Sequence, residues 1–482
     1  MTQTAILWFR QDLRIADNPA LLQAINHGQI YPIYILDDEN AGLHEMGGAS
    51  RWWLHESLLK LNEQLDGKLN FYKGPADQIM INLARRLGAA AVYWNRCYEP
   101  WRITRDRKIK TDLQARNITI QSFNGSILWE PWEVLKQDGT PYKVFSPYYR
   151  KGCLPALPPR APLAAPTQPV NWLHDDQSLP LDGLELTAGY PWFKKMAGLW
   201  PIGEQAAFAR ASDYMASGIE GYKSLRDFPA LPHTSYLSPN IHFGEVSPHQ
   251  LWDITDGILM DSSRQWATKE KDLHHFRSEL GWREFSYYLN YHFGDMQTDT
   301  FNPKYDAFPW VTDDHAFRAW CKGQTGIPIV DAAMRQLWQT GLMHNRLRMI
   351  AASFLVKNLL IDWRRGERWF WDCLLDADSA SNGASWQWVA GCGADAAPYF
   401  RIFNPVLQGK KFDPDGDFIR QYIPELSNLP TKYLYAPWEA PQEILTAAGV
   451  TLGTTYPGPI VDLKASRDRA LAANQSLKTG GG

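Results

Sequence analysis

The chain reads as an α/β domain followed by an all-α domain, the two joined by a long linker. Three features of the sequence carry this reading. In the first 130 residues short apolar runs alternate with helical patterns, the mark of a parallel sheet covered on both faces. Between Pro155 and Pro169 six prolines break every period, as in an extended surface connection. From about residue 201 onward the apolar residues recur at helical spacing. A length of 482 residues also exceeds what one hydrophobic core usually supports.

The elements follow in order. Ala5–Phe9 is a predicted strand, and Asp17-Asn18-Pro19 opens a helix with proline in its first turn. Ile30–Leu36 is the second strand and Ser50–Leu65 a long helix. Leu69–Tyr72, Ala90–Trp94 and Ile118–Phe123 complete five strands, with helices over Ala76–Leu87 and about Pro100–Arg116 between them. The pattern is Rossmann-like, yet no GxGxxG follows the first strand, so the usual dinucleotide fingerprint is absent. Long helical segments are predicted over Trp266–Phe293, Ile329–Lys357 and Glu367–Leu375. The expected organisation is an α/β domain at 1–130, a linker at 131–200, a helical domain at 201–470 and a flexible tail at 471–482.

A net charge of −3 carries no global signature for nucleic acid, so any DNA contact depends on local Lys and Arg. Cys97, Cys153, Cys321, Cys373 and Cys392 show no zinc or iron–sulfur spacing, and no metal site is expected. A reduced, cytoplasmic protein is the simple inference. The N-terminus is charged too early for a secretory segment, and no run reaches the length of a membrane span. The 22 tryptophans are mostly core material, with a few left to stack on flat ligands or to carry electrons.

Four segments hold candidate chemistry. In HHFRSELGWREF, Phe276, Glu279 and Trp282 fall on one helical stripe. That stripe is either a half-exposed face with a solvated carboxylate or a cavity wall pairing a flat ring with a polar edge. In GLMHNRLRMI, Asn345 and Met349 share one face, while His344 and Arg348 share the adjacent one. Arginines in an apolar helix need partners, so a structural salt-bridge helix is the alternative. In DADSASNGASWQW, Asp378, Asn382 and Trp386 form a stripe, and Trp386 and Trp388 point to nearly opposite sides. A capped helix with two core tryptophans is the alternative reading of this segment. Thr234, Ser235 and Ser238 cluster hydroxyls before a predicted helix, which suits a phosphate or plain capping.

Together these segments resemble the DNA photolyase/cryptochrome family. The opening LWFRQDLRIADNPAL is similar to its N-terminal signature. TSYLSP, LGWREF, GIPIVDAAMRQL, MHNRLRM, LLIDWRRGER, DADSASNGASWQWVAGCGADAAPYFRIFNP and QGKKFD follow in family order. The resemblance is to bacterial members, class I or the class III nearest plant cryptochromes. It implies a flavoprotein in which FAD is held by Tyr222, Thr234, Ser235, Tyr236, Leu237, Ser238, Phe276, Arg348, Asp376, Ala377, Asp378 and Asn382. Arg348 and Asp376 would pair beside the flavin, and Asn382 would lie against flavin N5. Plant-type cryptochromes tend to carry Asp at that place and animal ones Cys, so Asn leans towards repair.

The implied activity is that of a DNA-repair lyase: blue-light splitting of cyclobutane pyrimidine dimers by an electron passed to a flipped-out dimer. Base extrusion by photolyases is a documented case. On the DNA side the resemblance implies Arg226, Glu279, Trp282, Arg283, Asn345, Arg346, Met349, Trp388 and Gln408, with Glu279 catalytic. Trp386, Trp363 and Trp310 would carry electrons between flavin and surface. UV-damaged DNA is the expected partner of a monomer. A second, antenna chromophore is expected in the N-terminal domain, folate ahead of 8-hydroxy-deazaflavin, near Trp8, Trp52, Trp53 and Trp101. Folate-binding relatives often carry Asn-Glu where this chain has Trp101-Arg102. The rival readings are a cryptochrome-like photoreceptor and a DNA-binding flavoprotein without turnover.

Overall fold

The computed structural model describes residues 3–189, 191–260, 269–396 and 400–479. Five strands form one parallel sheet: β1 (Gln3–Phe9), β2 (Gly28–Leu36), β3 (Asn70–Lys73), β4 (Ala91–Asn95) and β5 (Thr119–Phe123), in the order β3-β2-β1-β4-β5. Side chains alternate across β1, so each face has its own core. Ala5, Leu7 and Phe9 pack with Leu54, Leu58 and Leu61 of the helix Gly48–Gln64. Ile6 and Trp8 pack with Met80, Leu83, Ile109 and Leu113 of the helices Ala76–Arg86 and Pro100–Gln114. The first helix, Pro19–Ala24, starts as the sequence predicts: Asn18 accepts the Leu21 N–H, and Pro19 occupies a position that needs no donor.

The chain forms two compact units. The first comprises Met1–Glu220, Ser235–Asp295 and Leu375–Ala380; the second comprises Gly221–Thr234, Met296–Leu374 and Ser381–Gly482. The expected break near residue 200 is therefore not where the compact units divide. Helices Glu204–Asp213, Pro248–Met260 and Glu270–Phe293 belong with the sheet.

Beyond its proline-rich part, the linker expected at 131–200 packs on the sheet. Leu173 N–H donates to the Ile30 carbonyl and Leu179 N–H to that of Phe71, which ties it to β2 and β3. Leu184, Leu186 and Met196 are buried in the sheet's core. These apolar side chains join the same core as the helix Gly48–Gln64.

The second unit is helical. The segment Ile329–Lys357, expected as one helix, is two: Pro328–Thr340 and Asn345–Ser353, followed by a π-helical turn over Phe354–Asn358. Gly341 takes the left-handed conformation at φ 71°, ending the first helix, and His344 caps the second. The helix expected at Glu367–Leu375 runs over Trp363–Cys373, because Asp362 caps it by accepting the Arg364 N–H at 2.9 Å. The expected tail is helical up to Thr479. Ala470 and Ala473 of that helix are buried against Phe308 and Leu360, and this packing orders it. The expected start of a helix at Trp266 lies outside the described residues, as does 480–482.

Candidate functional site

Within the first unit, the helix Glu270–Phe293 carries the predicted stripe. Phe276 is buried, with the Tyr214 ring 6.1 Å away. Glu279 is about a third exposed and faces His275 Nε2 at 3.7 Å. Trp282 is 36% exposed although it is a large aromatic, a placement more typical of a binding surface than of a core. Arg283, expected at DNA, is instead turned inward. It donates to the Ser126 carbonyl at 2.9 Å, pairs with Glu284 and lies over the Tyr287 ring. One position on from Trp282, its direction rotates by about 100° around the helix, and its guanidinium is engaged by the Ser126 carbonyl and the Glu284 carboxylate.

Asp376, Ala377 and Asp378 are buried just before the helix Ser379–Ala390. Asp378 accepts from the Tyr287 hydroxyl and faces His242 Nδ1 at 3.6 Å. Burial raises the Asp378 pKa, but His242, Tyr287 and Arg283 outweigh it and hold the carboxyl well below its usual range. Further back in the chain, Tyr236 holds a left-handed φ of 53°, costly for a bulky residue. Arg210 donates to its carbonyl, and Trp200 lies against its ring at 6.0 Å. Leu237 N–H donates to Ser235 Oγ. The helix that follows, Ser238–His242, has only five residues, too short for the strong dipole that a phosphate site at its start would call on.

Within the second unit, His344 is the N-cap of its helix, so it does not share a helical face with Arg348. Its Nδ1 accepts the Arg346 N–H at 3.2 Å. Burial pushes its pKa down to about 4. Arg346 pairs with Asp227, lies over the Phe412 ring at 4.5 Å and donates to Met349 Sδ at 3.7 Å. Arg348 donates to the Met343 carbonyl at 2.8 Å. Arg226 lies over the Tyr222 ring at 5.1 Å. Asn345 opens the His344-capped helix, and Gln408 lies half-buried on the helix Pro405–Phe412.

Two helices of the second unit meet at a glycine. A Cβ on Gly366 would come within 2.2 Å of the Trp386 ring, so only glycine lets the indole lie on the helix Trp363–Cys373. Trp363, buried to 1%, sits one turn before Gly366 on that helix. The ring neighbours of Trp386 are Phe370 at 5.0 Å and Trp320 at 6.1 Å. Trp310 packs on Phe308 at 4.3 Å and is half-buried. Among the described residues no ring contact directly joins two of Trp386, Trp363 and Trp310.

Between Trp386 and Trp388, Gln387 is fully buried. It donates to the carbonyls of Met296 and Asp299 and accepts the Phe301 N–H. This fixes the rotation of the helix, with Trp386 in the core and Trp388 lining a small cleft with Ser353, Arg401 and Phe403. Arg401 lies 5.8 Å from the Trp388 ring centre. Sequence reasoning did not select Arg401. It also missed Glu367, buried to 4%, which accepts from Asn382 Nδ2 and Gln297 Nε2, each at 2.8 Å.

The four tryptophans expected near an antenna divide. Trp8, Trp52 and Trp53 are core residues, at most 2% exposed. They fill the sheet's two apolar layers and present no face to a chromophore. Trp101 is half-buried and lies beside the guanidinium groups of Arg102 and Arg105, at 5.0 and 4.9 Å.

Two family models match the chain: DNA photolyase over residues 5–167 and the FAD binding domain of DNA photolyase over residues 276–476. A deoxyribodipyrimidine photo-lyase of Agrobacterium fabrum is 47% identical over 99% of this chain and 98% of its own length. Cryptochrome-2 of Arabidopsis thaliana is 37% identical over 97% of this chain and 78% of its own. The crystal structure of a bacterial class III photolyase from Agrobacterium tumefaciens superposes with a TM-score of 0.92 at 46% identity, covering 99% of this chain and 98% of that one. With a five-stranded parallel sheet, a helical C-terminal part and relatives this similar along the full length, the chain belongs to the DNA photolyase/cryptochrome family.

Proposed function

We propose that the protein is a deoxyribodipyrimidine photo-lyase that repairs cyclobutane pyrimidine dimers in UV-damaged DNA under blue light. The observation that carries this reading is the pair Glu279 and Trp282: an exposed indole one turn from a part-exposed carboxylate on the same helix. Trp282 stacks on one face of the flipped dimer, and Glu279 takes a hydrogen bond from a thymine edge. Asn345, Arg346, Met349, Trp388, Gln408 and Arg226 complete the DNA-facing set.

FAD is the proposed cofactor, held by Tyr222, Thr234 to Ser238, Phe276, Arg348, Asp376 to Asp378 and Asn382. Two observations support a fit. Thr234 Oγ1 is a buried hydroxyl with no partner among the described residues, as a ligand-contacting hydroxyl is before its ligand arrives. Glu367 holds the Asn382 Nδ2, which leaves Asn382 Oδ1 as the acceptor for the flavin N5 hydrogen. When bound and reduced, FAD supplies the light-excited electron that opens the dimer. Trp386, Trp363 and Trp310 serve its photoreduction. A second chromophore, folate ahead of deazaflavin, remains part of the proposal; a light-action spectrum that follows FAD alone after each is added would exclude it.

Met349 supports the cyclobutane dimer as the lesion. Repair of (6-4) photoproducts needs proton transfer at the substrate, a role for histidine. Met349 transfers no proton, and the neighbouring His344 is buried as a helix cap. The test offers both lesions in matched oligonucleotides to the reduced protein, in blue light and in the dark. Light-dependent restoration of the cyclobutane dimer alone is expected. Restoration of the (6-4) lesion alone would overturn the assignment, and binding of dimer DNA without turnover would favour a photoreceptor or a passive flavoprotein.

A further inference from the structure

Trp282 does not stand alone. The Phe145 ring lies parallel to it, 3.8 Å between centres at 13°. Phe145 is 7% exposed, so it is a fixed backing for the more exposed indole. Four residues on, Tyr149 stacks on Phe145 at 5.5 Å and 11°. The Tyr149 ring in turn presses on the residue before Trp282: a Cβ on Gly281 would come within 2.6 Å of it. Phe285 closes the side, 6.0 Å from both Phe145 and Trp282.

Polar ties hold this stack in place. The Tyr288 hydroxyl accepts the Tyr142 N–H at 3.0 Å and donates to the Val134 carbonyl at 2.8 Å. Glu284 accepts the Leu128 N–H at 2.7 Å. The segment that supplies Phe145 is thus tied to the helix Glu270–Phe293 on the N-terminal side of the stack.

We propose that Phe145 is a positioning residue for the lesion: it holds the Trp282 indole flat, with one face covered and the other left for the flipped dimer. This rests on the reading that Trp282 meets the dimer. An exposed aromatic side chain that must settle into one rotamer on binding loses affinity to that ordering. A ring already held by a parallel neighbour has met this cost during folding. Covering one face also makes the platform one-sided, so a ligand stacks at a single height.

The experiment measures dark binding of a dimer-containing duplex and of the matched undamaged duplex by Phe145→Leu, Phe145→Tyr and Trp282→Ala. Affinity of Phe145→Leu for the dimer duplex should fall about tenfold, while Phe145→Tyr, which keeps the ring, stays within about twofold of the parent. Binding of undamaged duplex should not change in either. Equal loss on both duplexes, or no rescue by tyrosine, overturns the positioning role. If Trp282→Ala loses dimer affinity while Phe145→Leu keeps it, the positioning role fails and the reading of Trp282 stands. If Trp282→Ala binds the dimer as the parent does, the reading itself fails. FAD content and melting temperature report the fold of each variant; should leucine not be tolerated, Phe145→Met takes its place with the same expectation.

Discussion

Asn382 and Glu367 are locked amide to carboxylate. Asn382 Nδ2 donates to Glu367 Oε1 at 2.8 Å and to the Glu367 carbonyl at 3.2 Å, and Gln297 Nε2 shares the same carboxylate oxygen. The contact decides which end of the Asn382 amide is left to accept a hydrogen bond. Glu367→Leu removes the carboxylate shared by both amides and leaves Asn382 Nδ2 only the backbone carbonyl of residue 367, a loss of about 1–3 kcal/mol. The variant should melt at a lower temperature, and its bound flavin should show an altered absorption band and faster reoxidation in the dark. A normal flavin spectrum and unchanged reoxidation would mean that the orientation of Asn382 does not matter to the cofactor.

Non-covalent FAD, about one per chain, is expected in the purified protein and should be released by heat. Thr234→Val removes the unpartnered buried hydroxyl without changing the shape of the side chain. It should lower FAD retention on gel filtration by a few-fold while the melting temperature of the flavin-free protein holds. A colourless protein that takes up no added FAD would refute the cofactor assignment.

Trp386→Phe should slow photoreduction strongly and leave repair by pre-reduced protein nearly intact. The smaller ring leaves a gap over Gly366, with a stability loss of about 1–3 kcal/mol. Gly366→Ala approaches the same contact from the other side: its methyl group displaces the indole and should slow photoreduction with Trp386 still present. Equal loss of repair and photoreduction in either variant would give Trp386 a different role.

His344 makes stability depend on acid. Its folded pKa is pushed down to about 4 by burial, against about 6.5 in an unfolded chain. Below about pH 6.5 the unfolded state binds the proton first, so stability falls as pH drops towards 4. At most this amounts to something on the order of 3 kcal/mol. In His344→Asn a side-chain oxygen can still cap the helix without titrating. Its melting temperature should fall less steeply than the parent's between pH 7 and 5; parallel curves would show that His344 is not the group responsible.

The sequence by itself determined the fold class, because alternation of period two with period 3.6 is a local property of the chain. The five strands lie within a few residues of their expected places, and the Asn18 cap is where Asp-Asn-Pro put it. The family, and with it the proposed site residues, was legible as contiguous motifs. What the tertiary structure alone decided is which side chains face which partners. The linker's leucines and Phe145 gain their roles by packing on elements more than a hundred residues away in sequence. Arg283 is drawn inward by the Ser126 carbonyl and His344 is spent on a cap. Glu367 stands 15 positions before the amide it holds. Such contacts depend on helix rotation and on close approach at glycines such as Gly366, and neither is written in any local period of the sequence.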